Sequence, residues 1–212
     1  MMNRLYFDPR QPGSFGGLPA AERYLKGDVK SWLIRQDAYT LHKPLRHRFR
    51  RRRIYTKGIH DLWQTDLVDM QSLSNYNDGV KFLLTCIDTF SKYALVRSLK
   101  NKSGQSVTEA IKSILNEEIP LMLQSDKGTE YKNVQFQSLV KECDIRFYTS
   151  ENDDIKAAIV ERFNRTLKTR MYRYFTHSKS FRYVDVLQVY SYIHNRHSSI
   201  GMEPFMVSLK NA

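Results

Sequence analysis

Trp63-Gln64-Thr65-Asp66-Leu67-Val68-Asp69-Met70 is the stretch on which the fold turns. Its apolar and polar residues alternate with the two-residue period of a strand in a sheet, whereas the apolar residues ahead of it repeat at helical spacing. Two more runs rich in apolar and aromatic residues follow, at 81–88 and 93–99. Asn77-Asp78-Gly79 and Thr89-Phe90-Ser91-Lys92 supply turns between them, so three consecutive antiparallel strands are predicted.

Downstream the period changes again. Ser103 can cap a helix in which Val107, Ala110, Ile111, Ile114 and Leu115 make one apolar stripe, and residues 119–124 then read as a short fourth strand. Residues 134–143 read as a helix, 145–148 as a fifth strand and 155–175 as a long helix. The order βββαβαβα is that of an α/β fold with a mixed five-stranded sheet flanked by helices.

Upstream, Leu25, Val29, Trp32 and Leu33 predict a small helical unit over 20–38, behind the turn signals of residues 9–19. It has too little apolar surface to stand alone, so it should dock on the core, on DNA or on another copy of the chain. The expected division is a helical, arginine-rich segment at 1–58, a core at 59–204 and a short tail at 205–212. The chain of 212 residues is 41% hydrophobic, enough for one full-sized core and an appendage. No apolar run reaches membrane-spanning length and residues 1–10 lack an apolar signal core, so the expectation is no membrane and a place inside the cell. Cys86 and Cys143, 57 positions apart, read as reduced buried thiols.

The formal charge of +12 is concentrated at the front. Residues 1–62 hold 14 Lys and Arg against 5 Asp and Glu, and residues 63–212 hold 20 against 17. Arg46-His47-Arg48-Phe49-Arg50-Arg51-Arg52-Arg53 repels itself strongly, and phosphates would neutralise it. Such a run is read as a nucleic-acid contact, a nuclear import signal or a solvated linker.

Within so basic a chain the carboxylates can be sorted. Alternation puts Asp66 on one strand face with Val68 and Met70, and Asp69 on the other with Leu67, so the two cannot share a metal. Asp126 stands just past the fourth strand, beside Gly128, at the strand end where open sheets place ligands. On the long helix Val160, Phe163, Leu167, Met171 and Tyr174 make the buried stripe, leaving Glu161, Asn164, Arg165 and Lys168 on an adjacent face. One acid followed by two cations suits a metal beside a phosphate backbone. Any one of these acids alone would read as an ordinary surface charge.

Three motifs together carry more. Trp63-Gln64-Thr65-Asp66, Asp126-Lys127-Gly128-Thr129-Glu130-Tyr131 and Val160-Glu161-Arg162-Phe163-Asn164-Arg165-Thr166-Leu167-Lys168 resemble, in this order, the DDE catalytic core of retroviral and transposon integrases. The likeness spans about 59–204. With Leu41-His42-Lys43-Pro44 in front and Ser199-Ile200-Gly201-Met202 behind, it is strongest to Maverick/Polinton transposon integrases and the transposon-derived proteins descended from them.

That resemblance implies a ribonuclease-H-like fold and makes Asp66, Asp126 and Glu161 the catalytic residues and metal ligands. Two Mg²⁺ or Mn²⁺ ions about 4 Å apart would serve 3′-end processing and strand transfer on double-stranded DNA. Asn152 and Lys156, in the family's loop at 149–158, are implied DNA contacts, alongside Asn164, Arg165, Lys168, Arg50, Arg51, Arg52 and Arg53. A homo-oligomer on DNA is expected, because two DNA ends must be joined, and a nuclear location, with the arginine run readable as an import signal. Zinc is not expected: Val29, Trp32 and Leu33 are similar to part of the retroviral His-His-Cys-Cys module, but Gln36 and Tyr39 stand where its cysteines would. The family's SH3-like or chromodomain tail is expected to be missing, and a DNA-binding remnant without catalysis is the alternative. A ribonuclease H shares the fold, but the helix from Glu161 to Lys168 is of integrase type.

Overall fold

Strand β1 (Leu62–Asp69) is the axis of the sheet. In the computed structural model, which describes residues 1–43, 54–149, 157–187, 196–208 and 210, it pairs antiparallel with β2 (Phe82–Asp88) on one side and parallel with β4 (Met122–Ser125) on the other. The outer strands are β3 (Ala94–Leu99), antiparallel to β2, and β5 (Arg146–Thr149), parallel to β4. The resulting order, β3-β2-β1-β4-β5, is a mixed five-stranded sheet. Parallel pairing needs crossovers, and helices α5 (Gly104–Leu115) and α6 (Val134–Glu142) lie in the connections that precede β4 and β5.

Each face of the sheet carries its own core. One joins Trp63, Leu84, Cys86 and Leu123 to Ile111, Ile114, Phe136 and Val140 of α5 and α6. The other joins Val68, Leu83 and Ile87 to Val160, Leu167 and Met171 of the long helix α7 (Ala158–Ser178). Ser103 caps α5 as expected, accepting from Ser106 N at 3.2 Å, and Asn133 caps α6, accepting from Phe136 N at 2.8 Å. The expected fourth strand is shortened at its start. Pro120 interrupts the run, and Ile119 and Leu121 stand 52% and 67% exposed outside β4.

The N-terminal unit differs more. The single stretch predicted at 20–38 is three short helices, α2 (Leu18–Tyr24), α3 (Val29–Ile34) and α4 (Asp37–Thr40), and the unpredicted α1 (Met2–Phe7) precedes them. Gly27, at φ 101, makes the break between α2 and α3 in a conformation that side chains rarely adopt. Tyr6, Leu25, Val29, Leu33 and Tyr39 form a small third core.

Of the three docking surfaces expected for this unit, the structure uses the core. Arg173 Nη1 of α7 donates to Phe15 O at 2.7 Å, and its guanidinium lies 4.9 Å from the centre of the Tyr39 ring. Phe7 stacks on His177 at 3.9 Å, and a ring nitrogen of His42 is 2.7 Å from Thr176 Oγ1. Arg170 and Arg173 are consequently buried, at 7% and 4% exposure, on a flank of α7 that a solvent-facing helix would give to water. Tyr174, placed in the buried stripe by periodicity, is only partly buried.

Replacing Arg173 by Met keeps the side chain's bulk but removes the bond to Phe15 and the charge over Tyr39. The variant should lose about 1–3 kcal/mol in urea unfolding. Limited proteolysis should also cut faster within residues 1–43. A variant as stable and as resistant as the parent would show that these contacts do not hold the helices in place.

Candidate active site

Asp66 sits in the middle of β1, opposite Thr85 of β2, on the sheet face that α7 covers. It is half-buried. Its Oδ1 accepts from Leu67 N at 2.8 Å and its Oδ2 from Asn164 Nδ2 of α7, also at 2.8 Å. Burial pushes its pKa up to about 6, and the negative charges of Asp126 and Glu161 push the same way, against the two hydrogen bonds. The charges of the other two motif acids thus reach Asp66.

The two partners arrive from different elements. Gln64 of β1 is in register with Gln124 of β4, so Asp126, just past the end of β4, lies along the sheet at the level of Asp66. Asp126 is exposed, and its Oδ1 accepts from Gly128 N at 3.1 Å, a local turn that holds the carboxylate at the strand end. Glu161 is exposed in the first turn of α7. Asp69, the competing acid of β1, is exposed and engaged in its own turn. It accepts from Gln71 N at 2.9 Å and Gln71 Nε2 at 3.0 Å, bonds that lower its pKa. Asp88 is buried, but Phe90 N at 2.9 Å and Ser91 Oγ at 2.7 Å bind it to the β2–β3 turn.

Of the expected DNA contacts on α7, Arg165 is exposed and Lys168 partly so. Asn164 is instead buried at 8% exposure, with its amide nitrogen on Asp66. It steadies the acid rather than facing solvent. Its i+3 spacing from Glu161 placed it beside the site but could not show that its side chain turns towards β1. Asn152, Lys156, Arg50, Arg51, Arg52 and Arg53 lie outside the described residues, as does most of the loop at 149–158. Gln36 and Tyr39 are used in packing: Gln36 Nε2 donates to Trp32 O at 3.0 Å, and Tyr39 lies under Arg173.

Among the described residues no three His, Cys, Asp or Glu side chains converge closely enough to hold a metal ion. The donor chemistry nevertheless fits a hard cation. Three carboxylates offer only oxygen, and Asn164 Oδ1 is a buried acceptor beside them with no partner among the described residues.

A carboxyl whose pKa is higher in the folded chain binds more protons folded than unfolded between the two values. Stability is therefore lost as pH rises from the ordinary 3.8 through about 6. In chelator, Asp66→Asn should exceed the parent by about 1–3 kcal/mol at pH 7.5 in urea unfolding, the gap closing towards pH 4. Equal stability at pH 7.5 would mean that Asp66 is not held against its preference for water.

The integrase core domain family matches residues 58–154. An uncharacterized transposon-derived protein of Caenorhabditis elegans is 44% identical over 132 residues, covering 60% of this chain. The chain spans less than half of that relative, 46% of its length. Two solved structures share the fold. The HTLV-2 integrase catalytic core domain in complex with magnesium, in a trimeric form, has a TM-score of 0.58 at 18% identity over 72% of this chain and 99% of its own. The simian T-cell lymphotropic virus intasome in complex with the PP2A regulatory subunit B56 gamma gives 0.64 at 21% identity, over 90% of this chain and 70% of that one. Residues 58–154 are thus similar to the integrase core domain family, the chain is similar to a transposon-derived protein, and its mixed sheet has the ribonuclease-H-like fold of an integrase catalytic core.

Proposed function

We propose that this chain processes and joins DNA ends of a transposable element by phosphoryl transfer, with Asp66, Asp126 and Glu161 as its catalytic carboxylates. The observation that carries the reading is the state of Asp66: a half-buried acid, its pKa raised to about 6 by burial and by the charges of the other two. A half-buried acid within reach of two further carboxylates, in a chain of net charge +12, is suited to cations and phosphates.

Mg²⁺ or Mn²⁺ held by the three carboxylates would activate the attacking oxygen and neutralise charge on the phosphate. The chain's residues do the rest. Asn164 orients Asp66 through its 2.8 Å bond, so that one oxygen of the acid has a defined direction. Arg165 and Lys168, one and two turns beyond Glu161, are placed to bind backbone phosphates and keep the scissile bond over the acids. Water as nucleophile breaks a phosphodiester near the DNA end and frees a 3′-hydroxyl, which then attacks a target phosphodiester and displaces the target strand's own 3′-oxygen. Joining two ends calls for a homo-oligomer, and work on DNA for a nuclear location. Among the described residues no helix is long and apolar enough to cross a membrane.

A second reading, DNA binding without cleavage, is favoured by the lack of convergence of the three acids to ligating distance among the described residues. A labelled duplex incubated with the chain and Mg²⁺ or Mn²⁺, beside Glu161→Gln and Asp126→Asn, separates the two. Metal-dependent nicking or joining lost in both variants, with DNA binding kept, supports the enzyme. Nicking that survives in Asp126→Asn sinks the assignment of the acids, and binding without cleavage in any of the proteins supports the second reading. Removing Arg50, Arg51, Arg52 and Arg53 should weaken binding to all sequences and flatten its salt dependence by about one unit of slope per lost phosphate contact. An unchanged slope would leave that run as linker or import signal.

A further inference from the structure

Helix α7 starts without a cap of its own. Ala157 stands at the N-cap position and has no side-chain acceptor, although the first turn of any helix presents amide donors that need one. The acceptor comes from the central strand: Gln64 Oε1 receives Ile159 N at 3.0 Å and Val160 N at 3.1 Å. Those are the second and third residues of the helix, the two that an N-cap side chain normally serves. The other end of the amide is also committed, since Gln64 Nε2 donates to Gln124 Oε1 of β4 at 2.9 Å. Main-chain N–H groups can only donate, so the oxygen of Gln64 must face α7 and its nitrogen must face Gln124. Both glutamines are buried, at 0% and 5% exposure, where such bonds meet no competition from water.

We infer that Gln64 is a positioning residue for the carboxylate site, acting through the main chain of α7 and not on DNA. The network touches every element that carries one of the acids. Gln64 lies two residues before Asp66 on the same strand face, Gln124 two before Asp126, and Ile159 and Val160 directly ahead of Glu161. One side chain thus ties the start of α7 to β1 and β4 and sets where Glu161 stands against the two aspartates. Its bearing on chemistry rests on the DNA-joining reading. The clamp itself does not.

Amide hydrogen exchange in the metal-free protein tests the clamp, and steady-state cleavage of a duplex with Mn²⁺ tests its consequence. In Gln64→Leu, protection at Ile159, Val160 and Glu161 should fall about tenfold or more while the amides of β2 and β3 keep theirs. The kcat should fall about 10- to 100-fold with KM for DNA unchanged, because the phosphate contacts are untouched. Gln64→Glu offers a carboxylate oxygen to the same two amides, and Gln124 can turn its amide to donate, so exchange protection should return. Should Gln64→Leu fail to fold, Gln64→Asn, too short to span from β1 to α7, carries the same expectations. Unchanged protection in the folded variant, no recovery in Gln64→Glu, or lost protection with parental kcat would each overturn the inference. A parent that does not cleave DNA would instead remove the DNA-joining reading, leaving exchange alone to decide the clamp.

Discussion

The position of β1 is the constraint from which the rest follows. It is hydrogen-bonded on both edges, antiparallel to β2 and parallel to β4, and covered on both faces by helices. A strand so enclosed should be apolar throughout, yet it holds Gln64, Thr65 and Asp66 in succession. Each is accommodated by a specific bond: Gln64 to Gln124 and α7, Thr65 Oγ1 to Thr85 O at 3.0 Å, and Asp66 to Asn164. Buried polar groups with partners in three different elements fix the mutual placement of those elements more narrowly than apolar packing does.

Parallel pairing of β1 with β4 then brings the acids into one neighbourhood. With Gln64 in register with Gln124, Asp126 just past the end of β4 stands level with Asp66 within β1. Burial of Asp66, with smaller contributions from the charges of Asp126 and Glu161, raises its pKa and makes its ionised form a load on the folded chain. On the same helix as Glu161, Arg165 is exposed and Lys168 partly so.

The N-terminal helices matter because of what they bury. Arg170 and Arg173 would be solvated cations on a bare α7, but beneath α1–α4 they become internal anchors, Arg173 through Phe15 O and the Tyr39 ring. The same helix therefore carries Glu161 in its first turn and the docking surface of the N-terminal helices further along.

The succession of strands and helices along the chain and the faces of Asp66 and Asp69 could be read from residues 62–178, because period and turn chemistry are local properties of the chain. The grouping of Asp66, Asp126 and Glu161 came from the resemblance of three spaced motifs, and the structure adds that the charges of the other two reach Asp66. Element ends were less accurate where a proline or glycine intervened, as at Pro120 and Gly27. The roles of Gln64, Asn164 and Arg173 could not be read in the same way. Each depends on a partner from about 60 to 158 residues away, and no periodicity within a strand or helix encodes what will be folded against it.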